Sequence, residues 1–533
     1  MSLVSEATTA ARDELGVTDA IKWAAGYEFP SELIRSNASC LRSAQLDFTT
    51  MVRRRLKTLS PNRLNVDRAR LLRDDNPAKT LILDLCMGMK VHLPVDFVPN
   101  GATDLSPLRK TYLNVAPAVN KMLGAILDQG LAMLLSYDTA VRHVPRLHFS
   151  KAHWTVKKGK PSGRPLGDLS FVEGTPLNTE ATAKAAAGYY GDIKHPTIDQ
   201  IAVMIMEYYT KAKLRDPSVT WDRLRIWKMD LKGACQLLSF RPEDAGLFAM
   251  RVTGNLVYLQ FVGIFGWAGT PAAFQTVTRA IQWELSHALH GMSTMYVDDI
   301  IGVSLDTDLD SDLATTRKIC TDLLGPDAVS DEKRETGRRL DILGYVVDLD
   351  IERVSIAKKN YLAALHGFLS VDLNGRITLR GAQRLAPWGS RYGKTCRVMR
   401  PFAHSLHKLT TGRKSIYATF LLSQESRITI QCWRALLCLV RADEKQFTRS
   451  IASFCPSTST YVAEFDSSLS EIGVVQSNGW RGGYLGCLRI PHWVSKFPRR
   501  LVVSEFSGVF GGPDRYCGLC KDEFPRPRSQ VKR

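Results

Sequence analysis

Residues 292–303 read MSTMYVDDIIGV. Asp298 and Asp299 stand side by side in a stretch that is otherwise apolar and β-branched. Desolvating a carboxylate costs several kcal/mol, so two adjacent ones in such a setting need something that neutralises them. On a regular strand neighbouring side chains point to opposite faces, and simple alternation cannot aim both acids at one site. A tight hairpin turn resolves this by setting the pair at the tip of two strands, where side chain and backbone converge. The stretch therefore predicts a hairpin over TMYVDDIIGVS. Carboxylates held this close are tolerated when a divalent cation sits between them, and Mg²⁺ takes oxygen ligands. For any isolated Asp-Asp pair the competing reading is a surface turn with solvated acids.

A third acid is offered by WKMDLKGACQLL, where Asp230 ends a short apolar strand before the turn-permissive KGA. Between Asp230 and Asp298 there is room for a helix, and TPAAFQTVTRAIQWELSHALH has the spacing of one. ATTRKICTDLLG reads as the next helix and LDILGYVVDLD as a returning strand. The order strand, helix, hairpin, helix, strand gives an α+β domain with helices against one antiparallel sheet. Three carboxylates at the ends of adjacent strands, in a basic protein, suit a two-metal phosphoryl or nucleotidyl transfer site.

The charge of the whole chain agrees. Its 533 residues carry 71 Lys and Arg against 53 Asp and Glu, a net charge of +18, which favours a polyanionic partner. Apolar residues at 44% and charged residues at 23% are ordinary for a folded protein, which excludes disorder as the default. No membrane is implied. The start MSLVSEATTAARDELG lacks the apolar core of a signal peptide, and the longest apolar runs, such as 257–269, are too short to span a bilayer. Eleven cysteines, scattered singly apart from Cys517 and Cys520, suggest reduced thiols in an intracellular protein of the cytoplasm or nucleus. That lone CxxC has no second pair or His nearby and reads as incidental rather than as a zinc site.

Elsewhere, residues 1–105 are mixed and match nothing recognisable. Residues 108–135 have apolar residues at helical spacing and predict one or two helices. HFSKAHWTVKKGKPSGRPLGDLS reads as strand, basic turn, strand. Residues 376–414 contain ten Lys and Arg and no Asp or Glu, interleaved with Trp388, Tyr392 and Phe402. A run so one-sided suits a surface that tracks a phosphate backbone better than a merely solvated face.

Taken together, these motifs resemble reverse transcriptases, in particular those of retrotransposons of the DIRS-like or a related group. YVDD at 296–299 is similar to their YxDD signature, and Asp230 with LKGA to their other catalytic-aspartate motif. FGWAGTPAAFQ at 265–275 resembles the segment that packs on the incoming nucleotide and template, which places Phe265, Gly266 and Gln275 there. Arg164 and Asp168 in GRPLGD match the fingers R-x-x-x-D, and Lys158 and Lys160 lie on the basic turn before it. Lys333 in SDEKRE falls where the family keeps a lysine near the leaving pyrophosphate. LGYVVD, with Leu343, Gly344 and Tyr345, resembles the primer-grip hairpin.

The resemblance implies a right-hand polymerase, with fingers and palm over 106–375, a basic thumb over 376–415 and a connection over 416–455. It implies an RNA template, a DNA or RNA primer and dNTPs as partners, and two Mg²⁺ ions, with Mn²⁺ as a substitute. Asp230 and Asp298 would be the main metal ligands, with Asp299 supporting metal or primer.

Two features depart from the pattern. Cys235 stands where the family usually has Tyr or Phe to exclude a ribose 2′-hydroxyl, and a thiol is too small to do so. FDSSLSEIGVV at 465–475 resembles the first strand of a ribonuclease H domain with Asp466 as its acid, and Glu505 is the best second candidate. No convincing third acid follows, so 456–533 reads as a partial ribonuclease H-like domain with a basic tail, lacking that activity. The expectation is an RNA-directed DNA polymerase. The alternatives are a decayed retroelement remnant that only binds nucleic acid, and an RNA-dependent RNA polymerase, which would usually carry Gly-Asp-Asp.

Overall fold

The computed structural model describes residues 18–489 apart from 102–107, 158–159, 171–175, 265, 397–398, 413–417, 443–447, 456–461, 468–470 and 479–480. The described chain forms two compact units, one ending at Leu340 and the other beginning at Asp341.

The predicted strand, helix, hairpin and helix around the paired acids are present in the first unit, but the returning strand is Val329–Gly337 rather than LDILGYVVDLD, whose residues form two short strands of a separate sheet. Strand β4 (Leu224–Leu231) is followed, after two strands that join another sheet, by a helix over Gly269–Ala288, the hairpin β7 (Met292–Tyr296) and β8 (Asp299–Leu305), a helix over Leu309–Leu324, and β9 (Val329–Gly337). The strands make an antiparallel sheet in the order β7-β8-β4-β9. One residue pair explains much of its packing. Trp227 on β4 faces Gly302 on β8, and a Cβ added at Gly302 would sit 2.1 Å from the indole, so only glycine leaves space for that ring. Trp227, Met229 and Ile300 share a core with Phe274, Val277, Ile281 and Leu285, which recur at helical spacing along Gly269–Ala288.

The first hundred residues, which resembled nothing, supply the rest of that core. Helices over Ser31–Ser43, Phe48–Leu59, Val66–Arg70 and Lys79–Leu85 are formed, and Ala69, Ile82, Leu85 and Met89 join the Trp227 cluster. Arg68 donates to the carbonyls of Thr321 and Asp322 at 2.9 and 3.0 Å, satisfying orphan acceptors at the end of the Leu309–Leu324 helix.

A second sheet in this unit runs β1-β6-β5-β2-β3, built from β1 (Ala132–Ser136), β2 (Phe149–Lys157), β3 (Lys160–Asp168), β5 (Ala249–Val252) and β6 (Leu256–Gln260). β2 and β3 are the expected basic hairpin. Residues 108–135 differ from the helical expectation at their end. Helices cover Lys110–Leu113 and Ala116–Asp128, then Gly130 at φ +73° breaks the run and Ala132–Ser136 pairs with β6. A short, fully apolar run buried in a sheet has no periodicity to separate it from a buried helix.

In the second unit, β10 (Arg339–Ile342), β11 (Tyr345–Asp348), β12 (Arg353–Ile356) and β13 (Arg449–Ser450) form an antiparallel sheet. Helices Lys358–Leu369, Leu379–Thr395, Arg400–Lys408 and Gln424–Ala442 pack around Phe368, Tyr392 and Trp433. The acid-free run thus lies largely on two of these helices. Val462–Ser467, Glu471–Asn478 and Arg481–Arg489 make a three-stranded antiparallel meander in which Asp466 is the backbone partner of Gly473. Glu505, Cys517 and Cys520 lie outside the described residues. The fold is α+β, and among the described residues no helix is long and apolar enough to cross a membrane.

Candidate active site: three acids and a lysine on adjacent strands

The β7–β8 connection is a two-residue turn made by Val297 and Asp298, with Tyr296 and Asp299 as the closing pair. Val297 has φ +55°, a left-handed conformation that is unfavourable for a β-branched side chain. Its side chain nevertheless packs against the main core, and the turn is pinned from the adjacent strand, where the Leu231 amide donates to the Asp298 carbonyl at 2.8 Å.

Asp230 is the direct backbone partner of Asp299, so the acids of the two motifs end neighbouring strands at the same level. On the other side of Asp230, the β4–β9 ladder is interrupted. Lys228 faces Glu335 and Asp230 faces Ser330, so residues 331–334 bulge out opposite Met229. Lys333 reaches back from this excursion, its Nζ donating to Asp230 Oδ2 at 2.6 Å. Bulges beside sites re-aim side chains in this way.

The electrostatics follow from the crowding. The Asp299 carboxyl is pushed above its ordinary proton affinity by burial first, then by the charges of Asp298 and Asp230, with Lys228 and Lys333 opposing. Lys333 is held above the usual lysine value by its bond to Asp230. Cys235 is buried on a 3₁₀ turn just past Asp230, and burial with the nearby Asp298 charge pushes its thiol up to about 11. It is a small neutral group at physiological pH. Its carbonyl packs on Gly263, where an added Cβ would lie 2.2 Å from that oxygen. The base of the hairpin is clamped by buried Asp312, which accepts from the amides of His290 and Gly291 and from the Ser304 hydroxyl. The same hydroxyl accepts from Trp227 Nε1 at 2.9 Å.

The remaining candidates are placed as follows. Asp168 is bonded to Arg109 at 2.8 Å. Gly266, at φ +114°, lies against the Gly167 carbonyl next to it, and its own carbonyl accepts from Asn178. The Gln275 amide is engaged at both ends by the peptide of Lys194. Phe265 and Lys158 lie outside the described residues, and of Lys160 and Arg164 only the backbone, on β3, is described. In the second unit, Leu343 and Gly344 form the β10–β11 turn, both at positive φ, and Tyr345 opens β11 with its hydroxyl donating to the Arg391 carbonyl at 3.2 Å.

Four residues at or around these candidates were not legible in the sequence: Arg109, Asn178, His195 and Asp312. His195 lies 4.9 Å, ring to ring, from Tyr296 of the YVDD turn, on a loop that Gln275 and Arg279 hold through its backbone. Each is brought in from a distant segment by tertiary packing, and none carries a local pattern.

Among the described residues, no three His, Cys, Asp or Glu side chains are arranged as a ready metal cage. The donor chemistry nonetheless fits a hard divalent cation. All three acids offer oxygen, and they raise the proton affinity of Asp299 in the way a shared cation would relieve.

No family model and no curated protein matches this chain. Solved structures that align with it include the foamy viral protease-reverse transcriptase dRH in complex with double-stranded DNA, at 13% identity and TM-score 0.43, covering 81% of this chain and 68% of that one. The foamy viral protease-reverse transcriptase in complex with RNA/DNA hybrid aligns at 12% identity and TM-score 0.44, covering 81% and 52%. The same viral protein with double-stranded DNA gives 11% and 0.43, covering 81% of both chains.

Proposed function

We propose that this chain is an RNA-directed DNA polymerase of a retroelement, adding dNTPs to a primer 3′-hydroxyl on an RNA template. The observation that carries the reading is the strand-end constellation. Asp230 and Asp299 are register partners, Asp298 sits on the turn between β7 and β8, and Lys333 reaches Asp230 from the bulge in β9.

Asp230 and Asp298 would hold the Mg²⁺ ions, or Mn²⁺ in their place, with Asp299 in support. Bound there, the ions would supply a lowered pKa for the primer hydroxyl and charge neutralisation for the triphosphate. Lys333, held protonated by Asp230, is the group that would donate to the leaving pyrophosphate. Cys235 stands where a larger side chain would meet a ribose 2′-hydroxyl. The basic β2–β3 turn with Lys158, Lys160 and Arg164 would receive the triphosphate. The Leu343–Tyr345 turn and the acid-free helices of the second unit would hold primer and template backbone. The meander carrying Asp466 is read as a partial ribonuclease H-like element without ribonuclease activity.

Primer extension on an RNA template with dNTPs and Mg²⁺, beside Asp298→Asn, tests this directly. Extension that disappears in the variant supports the assignment. Template binding without extension in the unsubstituted protein overturns it in favour of a binding-only remnant.

A further inference from the structure

A cavity of ≈ 450 Å³ opens in the first unit between the Phe48–Leu59 helix, the segment running from Lys79–Leu85 to Gly88, and the 3₁₀ turn that begins at Pro242. Four cations line it, Arg53, Lys57, Arg63 and Arg241, against two carboxylates, Asp84 and Glu243. Asp84 is already committed, accepting from Arg241 Nη2 and from the Tyr189 hydroxyl, each at 2.8 Å. Gly88, at φ +104°, is pressed so closely on the Arg241 backbone that an added Cβ would lie 2.6 Å from its nitrogen, which fixes this wall of the cavity.

Arg63 decides what the cavity is for. It is 9% exposed, its Nη1 is buried with no hydrogen-bond partner, and among the described residues no carboxylate charge acts on it. Burial pulls its guanidinium down to about 10, which still leaves it charged at neutral pH. A buried guanidinium without a counter-charge is strongly destabilising in a folded protein. Its Nη1 is closed off from solvent, but Arg63 lines an open cavity that already carries a cationic excess, so an anion entering the cavity comes close to a guanidinium charge that the surrounding side chains leave uncompensated. The planar guanidinium fork pairs bidentately with oxyanions such as phosphate, and a cavity of this size accommodates a nucleotide-sized ligand.

We propose that this cavity binds a phosphate monoester, its dianion held by Arg63 with Arg53 and Lys57. A monoester is favoured over a backbone diester because a phosphate flanked by sugars on both sides cannot lead into a recess walled by a buried guanidinium. The ligand is then either a free nucleotide or the phosphorylated 5′ end of a strand. The site is separate from Asp230 and is independent of whether the chain polymerises.

Calorimetric titration of the full chain with inorganic phosphate and with AMP, without divalent cation and at constant ionic strength in chloride, tests it. Saturable binding is expected, weakened about 10-fold or more in Arg63→Met and about threefold in the exposed Lys57→Gln, whose folding is not at issue. Competition by a 5′-phosphorylated tetranucleotide but not by its 5′-hydroxyl counterpart assigns a strand end. Binding of AMP alone assigns a free nucleotide. Heat indistinguishable from chloride, binding that survives both substitutions, or equal competition by the two tetranucleotides overturns the proposal.

Discussion

Val297 offers a sharp test of how the acids are held. A valine at φ +55° pays roughly 1–2 kcal/mol for the left-handed region. Replacing it with glycine releases that strain but adds roughly 0.5–1 kcal/mol of chain entropy. It also removes a partly buried isopropyl group, worth about 1 kcal/mol if half of a full valine burial is lost. The terms nearly cancel, so Val297→Gly is expected to melt within about 3 °C of the unsubstituted chain. Its effect on chemistry is not expected to cancel. Val297 immediately precedes Asp298, and a turn free to sample many φ values no longer fixes that carboxylate. Misplacement by about 1 Å lowers a rate by up to 10²-fold, so single-turnover primer extension is expected to slow by about 10-fold or more. Val297→Ala keeps the left-handed residue without the γ-methyls, and is expected to lose stability while retaining more activity than the glycine variant. An unchanged rate with an unchanged melt would show that the strained turn does not position Asp298.

Other substitutions probe the same strand ends. Lys333→Met is expected to slow nucleotide addition about 10²-fold in single-turnover assays while leaving primer–template affinity within twofold, and a rate within twofold of the original would remove Lys333 from the chemistry. Cys235→Phe is expected to raise discrimination against rNTPs by about 10²-fold, starting from a chain that uses rNTPs within about 10-fold of dNTPs; strong rejection by the unsubstituted protein contradicts this. Asp299→Asn probes the charge crowding through pH. A carboxyl held above its unfolded proton affinity makes the folded state bind more protons between the two values, so stability falls as pH rises through that window and stays lower above it. The variant is therefore expected to melt higher than the original at pH 7 and alike at pH 3. A lower melt at pH 7 would mean that Asp299 is stabilised by contacts its charge makes.

The parts of the fold legible in the sequence are those with local cause. Apolar and β-branched residues on both sides of VDD define a hairpin whatever lies around it, and the helix over Gly269–Ala288 carries its own apolar stripe. The β1 strand was not legible because LAMLLS is apolar at every position but the last and takes its conformation from pairing with β6. The N-terminal helices were legible at most as helices. That Ile82 and Met89 complete the core under Trp227 depends on contacts more than a hundred residues apart, which no window of sequence contains.

The same distinction runs through the candidate site. The acids could be found because burying carboxylates together is chemically conspicuous in any β-rich stretch. The bulge that delivers Lys333 could not, since SDEKRE has no Gly or Pro and reads as a solvated charge run. What makes residues 331–334 leave the ladder is visible only against β4. Lys228 is tied to Glu335 at 2.9 Å and Asp230 is paired with Ser330, so the four residues between those anchors have a single opposing residue, Met229, to cover. The excess length must arch away from the sheet, and the lysine it carries returns to bond Asp230. A deletion within 331–334 should therefore restore the ladder and remove the Lys333–Asp230 bond together, because the bond is a consequence of the register and not of the lysine's own sequence context.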